Sequence, residues 1–356
     1  MNTTIQKRLS PLQSIANAPF GLTISSMSIV LGIVFTKLWR AHFNPMDFLA
    51  IDGLYVYEIA KVLPALNAPT DMHAYRGQRI LLSALAAPFG AAIPWALIVI
   101  NVLALGFGTY ALARLATMYK APALIGTMFG LWIGSLFVIQ MGLTEVLTYA
   151  FVLWGILFWE KKRPLIAGLF VGMAVLAKET AILYAIAFLL AHYGLSWRQR
   201  LSFALLALGP GISWQFVLWK TFGITGFSQA MQTGAPAAQL MPLTGLLMAK
   251  MALPWAWIFQ VTWVFIPAFI AVVWGMYVLW REKSPPVAWA LLLNGLFVLS
   301  LPSPSTRYFV HSSRIALGVI VALAWMVIRT QRRTYWLVAF SMALLPLLSF
   351  EVDAFY

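Results

Sequence analysis

The chain has 356 residues, 62% of them hydrophobic and only 10% charged, with a net charge of +14 and no cysteine. A soluble globular domain carries about 25% charged residues, so this composition excludes a soluble domain of any size. The lack of cysteine excludes disulfides, thiolate metal sites and cysteine nucleophiles.

A hydrocarbon core needs roughly 20 apolar residues per helix. Apolar stretches fall near 21–39, 91–115, 123–141, 145–159, 164–177, 180–194, 201–219, 254–280, 287–301, 313–328 and 335–350. They predict an all-α polytopic transmembrane bundle of about ten or eleven spans, forming one integral membrane domain over 1–356. Several stretches are short. The pairs 123–141 with 145–159, and 164–177 with 180–194, read as helical hairpins with polar tips, tolerable where protein rather than lipid surrounds them. The first stretch is not a cleavable signal, since no small-residue cleavage site follows it before Lys37 and Arg40. No linker, low-complexity tract or internal repeat interrupts the chain.

Lys and Arg set the orientation. With Lys7 and Arg8 placed inside, alternation also puts Arg114, Lys120, Lys161, Lys162, Arg163, Arg198, Arg200, Arg281, Lys283, Arg329, Arg332 and Arg333 inside. Fourteen of the 24 basic residues then face Glu160 and Glu282 alone, a balance of +12 inside against +2 outside. The N-terminus is expected in the cytoplasm and the C-terminus outside. The positive charge is thereby explained by topology and by contact with anionic membrane lipids. Split among short loops, it does not predict a nucleic-acid partner.

Eight acids are left outside: Asp47, Asp52, Glu58, Asp71, Glu145, Glu179, Glu351 and Asp353. Three outer segments exceed a turn, at about 40–90, 220–253 and 302–314. No P-loop, GxSxG, HExxH or Rossmann glycine pattern occurs. The histidines His42, His73, His192 and His311 are scattered, so no metal cage and no cofactor is predicted. Chemistry must come from the outer carboxylates and cations.

The first outer segment carries Asp47 and the run Asp52-Gly53-Leu54-Tyr55-Val56-Tyr57-Glu58. Asp-Gly permits a sharp turn that presents a carboxylate, and Tyr55 and Tyr57 suit an interface or a sugar-stacking face. An ordinary solvated interfacial loop is the plainer reading. Next, Arg76 and Arg79 fall three apart on one helical face at the membrane boundary. Guanidinium forks grip phosphate oxygens bidentately, while snorkelling anchors are the alternative. Lys178 and Glu179 interrupt an apolar stretch, which marks them as functional candidates or as an ion pair closing a hairpin. Glu145 marks the preceding tip, where an acid can simply be wet. In the last outer segment Pro302 and Pro304 are expected to bar a helix. Arg307 and Arg314, with His311 between them, lie outside against the positive-inside trend and call for an anionic partner.

Together these residues predict one outer surface suited to chemistry on a lipid-linked substrate. An Asp in the first outer segment of a many-span chain, followed by outer charges, is similar to the C-type (GT-C) membrane glycosyltransferase superfamily. The elements Asp52-Gly53-Leu54-Tyr55 and Tyr75-Arg76-Gly77-Gln78-Arg79, followed by Lys178-Glu179 at the end of a later span, resemble a group of bacterial polytopic proteins of that kind. The chain departs from the pattern in carrying no Asp-x-Asp or Glu-x-Asp element, which leaves divalent-metal dependence open. It also has no large C-terminal soluble domain, which favours a lipid or glycan acceptor over a protein.

The resemblance implies a bacterial plasma-membrane enzyme taking sugar from a polyprenyl-phosphate donor on the outer face, with inversion. Asp52 would be the base, and Arg76, Arg79 and Arg307 would hold the phosphate. Lys178 and Glu179 would orient the substrates, and Tyr55 would contact the sugar. Asp47, Tyr57, Glu58, Glu145, His311 and Arg314 are second-rank candidates. Two other classes stay open. A transporter or flippase predicts repeats and midplane charges, and a non-catalytic assembly partner would leave Asp52 and Glu179 replaceable.

Overall fold

A computed structural model describes residues 18–50, 52–191, 195–233, 241–249 and 254–330. Lys7, Arg8, His192, Arg332, Arg333, the stretch 335–350, Glu351 and Asp353 lie outside the described residues, as does the middle of the 220–253 segment. The described chain is helical and without strands. Its principal elements are α1 (Pro19–Arg40), α2 (Asp52–Val62), α3 (His73–Gly77), α4 (Ile80–Ala86), α5 (Ile93–Met118), α6 (Ile133–Met141), α7 (Glu145–Glu160), α8 (Pro164–Ala177) and α9 (Ile182–Leu190). They continue as α10 (Trp197–Phe222), α11 (Gly226–Thr233), α12 (Pro254–Gln260), α13 (Ile266–Arg281), α14 (Pro286–Leu299), α15 (Ser303–Thr306), α16 (Phe309–Ile315) and α17 (Leu317–Thr330).

Burial sorts the helices into two classes. Helices α6, α7 and α17 are buried almost all round, and with α5 they form the centre of the bundle. Helices α1, α10 and α13 instead turn large apolar side chains outward, among them Phe35, Trp39, Leu205, Ile212, Phe269 and Trp280. Such contiguous exposed apolar surface is untenable in water; here it is the lipid face of an integral membrane protein. The outer helices approach closely through small residues. On α8, a Cβ at Gly168 would press on Leu206 and Phe203 of α10, and one at Gly172 would collide with the Leu206 carbonyl. This small-xxx-small spacing lets membrane helices dock backbone to backbone.

Among the described residues, four helical segments are long and apolar enough to cross a membrane: Pro19–Arg40, Ile80–Met118, Trp197–Phe222 and Trp257–Arg281. Two bent pairs, Ala123–Gly130 with Ile133–Met141 and α16 with α17, raise the number to six. The sequence reading of ten or eleven spans includes 335–350, outside the described residues, and several stretches below the length of these six. Within the described residues the other predicted stretches are helices too, but shorter: α7 has 16 residues and α8 and α14 have 14 each. Hydropathy scores a helix buried in protein as it scores one buried in lipid, so the apolar runs alone do not separate the two. The expectation that Pro302 and Pro304 exclude a helix is also corrected. Pro302 caps α15 and Pro304 sits in its first turn, where the missing N–H is not needed.

The bundle has two distinct polar ends. At one, Tyr119 donates to Glu160, which also accepts from Trp325 Nε1 at 3.0 Å. At the opposite end of α7, Glu145 belongs to the charged cluster described next.

Candidate active site

The cluster assembles charges at helix ends whose dipoles favour them. Asp52 opens α2 and Glu145 opens α7, while Arg76 and Arg314 lie in the last turns of α3 and α16. Asp52 is gripped on both oxygens. Arg76 Nη1 donates to Oδ1 at 2.5 Å and Arg314 Nη2 to Oδ2 at 3.3 Å. Arg314 Nη1 also lies 3.4 Å from Glu145, whose Oε1 accepts from Lys178 Nζ at 2.6 Å. Arg79 holds Glu179 in a two-pronged pair of 2.9 and 2.6 Å and donates to the Tyr75 hydroxyl at 3.1 Å. Asp71 lies at the rim, 3.5 Å from Arg76. Lys178 and Glu179 thus pair with different partners rather than closing a hairpin with each other.

A recess between these groups is lined by Asp52, Tyr55, Val56, Arg76, Arg79, Leu143, Thr144, Glu145 and Arg314. The Arg76 guanidinium stacks over the Tyr55 ring, 4.1 Å from its centroid. Glu145 is 2% exposed, Lys178 6% and Arg314 8%. Burial alone would raise the Asp52 carboxyl, but the Arg314, Arg79 and Arg76 guanidiniums outweigh it and hold it well below the ordinary carboxylate range.

Gly53 makes the juxtaposition possible. The Asp-Gly pair is not a sharp turn, because both residues belong to α2. A Cβ at position 53 would instead collide with the Met141 carbonyl oxygen. Met141 is followed by Gly142, which takes the left-handed conformation at φ 67° and ends α6. Backbone-to-backbone packing at these two glycines brings Asp52 beside Glu145.

Of the residues singled out in the sequence, Asp52, Tyr55, Arg76, Arg79, Lys178 and Glu179 come together. Glu145 and Arg314, ranked second, are the deepest members. The expectation of a wet Glu145 is corrected by its two cationic neighbours. Arg307 stands apart, exposed with its guanidinium over the Tyr308 ring. Asp47 is exposed and accepts from Asn44. Glu58 pairs with Lys61, which also covers Tyr57. His311 packs edge-on against Tyr308. Among the described residues no three His, Cys, Asp or Glu side chains gather as a metal site would require.

The described residues thus form a buried ion network at one end of a polytopic helical bundle. Residues 80–304 match glycosyltransferase family 87, and the chain belongs to that family, a GT-C-type family of membrane glycosyltransferases. No curated protein matches the chain. Glu145, Lys178 and Glu179 fall within the matched region, whereas Asp52, Arg76 and Arg79 precede it and Arg307 and Arg314 follow it.

Proposed function

We propose that the protein transfers a sugar from a polyprenyl-phosphate donor to a lipid or glycan acceptor, with inversion, on the outer face of a bacterial plasma membrane. One observation carries this reading. The buried Arg314 Nε–H has no hydrogen-bond acceptor among the described residues, although its guanidinium lines the recess beside Asp52. A buried donor left unpaired is costly, and a phosphate oxygen in the recess satisfies it. The charge balance agrees. Arg76, Arg79, Lys178 and Arg314 face the three inner carboxylates Asp52, Glu145 and Glu179, with Asp71 on the half-open rim.

In the transfer, Asp52 takes the proton of the acceptor hydroxyl as its oxygen attacks the anomeric carbon. The bond from that carbon to the phosphate oxygen breaks, and its electron pair leaves with the polyprenyl phosphate. Arg314 and Arg76, with Arg79 beside them, stabilise the growing negative charge. Asp52 is a weak base while both its oxygens are ion-paired. A donor phosphate that draws the guanidiniums toward itself restores the basicity that the step needs.

Arg76→Ala lowers kcat/KM for a polyprenyl-phosphate-linked sugar by about ten- to a hundredfold, the loss of a charge-assisted contact of roughly 1.5–3 kcal/mol. Arg79→Ala strands Glu179, so it is read beside the double variant Arg79→Ala/Glu179→Gln. Wild-type donor use by Arg76→Ala and by the double variant would reduce these arginines to structural anchors. The orientation has its own test. A reporter active only outside the cytoplasm stays silent when fused after Lys162 and works when fused after Tyr356. An active reporter after Lys162 places the network on the cytoplasmic face, and a silent one after Tyr356 breaks the alternation of spans on which the orientation rests.

A further inference from the structure

Gln260 is the last residue of α12 and is fully buried in an apolar bundle. The helix then makes a π turn over Val261–Phe265 before continuing as α13. A π turn inserts an extra residue, and such insertions concentrate at functional sites. Without it, Gln260 would be rotated by about 100° relative to α13, one residue's share of a helical turn.

Both ends of the Gln260 amide go to the same stretch of chain. Its Nε2 donates to the Thr306 carbonyl at 2.6 Å, and its Oε1 accepts from Ser312 Oγ at 2.5 Å. Thr306 closes α15, and its hydroxyl is itself fixed on the Gly245 carbonyl at 2.8 Å. Ser312 lies in α16, two residues before Arg314. On its other side α16 is held by Trp132, whose Nε1 donates to the Ser313 carbonyl at 2.9 Å. Between the two anchors of Gln260 lies the exposed Arg307. A buried amide packs no better than a Leu or Met of similar size, so its polarity serves the segment it bonds.

We infer that Gln260 is a positioning residue for glycosyl transfer: it ties Thr306 to Ser312 and thereby aims Arg314 between Asp52 and Glu145. This rests on the reading of Arg314 and Asp52 as the reaction centre. Gln260 need not touch substrate. It acts by fixing a guanidinium that must serve two carboxylates and a phosphate, where a displacement of about 1 Å can cost a hundredfold.

The test is a double-mutant cycle on transfer from a polyprenyl-phosphate-linked sugar, per mole of folded, monodisperse protein. Gln260→Met keeps the volume and removes both bonds. Arg314→Lys keeps the charge, loses the fork and leaves residual activity to measure. Gln260→Met is expected to lower kcat by about ten- to a hundredfold in the native background and by less than about threefold in Arg314→Lys, because contacts that act through one group are not additive. Ser312→Ala reproduces the same coupling, and it carries the cycle if Gln260→Met does not fold. An equal loss in both backgrounds overturns the inference, since Gln260 would then act on the scaffold alone. A wild-type protein that does not use the donor overturns the donor reading, and this inference with it.

Discussion

Asp52→Asn lowers the turnover of glycosyl transfer by roughly 10²–10⁴-fold, the usual share of general-base catalysis. Asparagine keeps the size and most hydrogen-bonding capacity of the side chain but cannot accept the proton. The bundle tolerates the change, because Arg314 keeps Glu145 at 3.4 Å and Arg76 keeps Asp71 at 3.5 Å. Donor affinity holds or rises, since a neutral side chain no longer competes with phosphate for the guanidiniums. Asp47→Asn is the control, and it stays near wild type because Asp47 is exposed and held only by Asn44. Turnover is read under saturating donor in lipid nanodiscs. Full turnover in Asp52→Asn removes Asp52 as the base, and a dead Asp47→Asn beside it moves that role to Asp47.

Lys178→Met produces the largest loss of stability. It leaves Glu145 buried, with its 2.6 Å partner gone and Arg314 remaining at 3.4 Å. Removing one member of a buried ion pair costs about 3–5 kcal/mol, because the other charge stays out of water uncompensated. The expected readout is a marked fall in the thermal unfolding midpoint in detergent. The double variant Lys178→Met/Glu145→Gln recovers most of that fall, since neither charge is then stranded. A single variant that keeps the native midpoint yet cannot transfer sugar would place Lys178 on the substrate instead.

The membrane class and the helical bundle are legible in composition and apolar run length. Which apolar stretches face lipid is not, because a 14- or 16-residue apolar helix can be walled by protein as well as by lipid. Asp52, Arg76, Arg79, Lys178 and Glu179 stood out as charges beside apolar runs, and the fold does bring them together. The resemblance points to Arg307 ahead of Arg314, and the sequence alone does not separate them, because both sit in one proline-bearing segment whose facing a linear reading cannot assign. The run Ser312-Ser313-Arg314 at the head of an apolar helix carried the better signal, an ionisable group next to membrane-depth chain. Gln260 offered a related signal inside Trp257-Ile258-Phe259-Gln260-Val261, but an uncharged amide among aromatics draws less notice than a lysine. Gly53 was legible as a constraint, though its reason is backbone contact with α6 and not a turn.

The ion pair between Arg314 and Asp52 joins residues 262 positions apart. At the usual pace of synthesis, about 5–20 residues per second, they leave the ribosome roughly 13–50 s apart. Throughout that interval the early helices hold carboxylates whose last cation has not been made. Glu145, once made, gains Lys178 and still lacks Arg314, and Asp52 is ion-paired with Arg76 alone. The recess acquires its full set of charges only when the final third of the bundle inserts. Competence for transfer is therefore gained in one late step of biogenesis, and a stalled nascent chain in the membrane is a silent one.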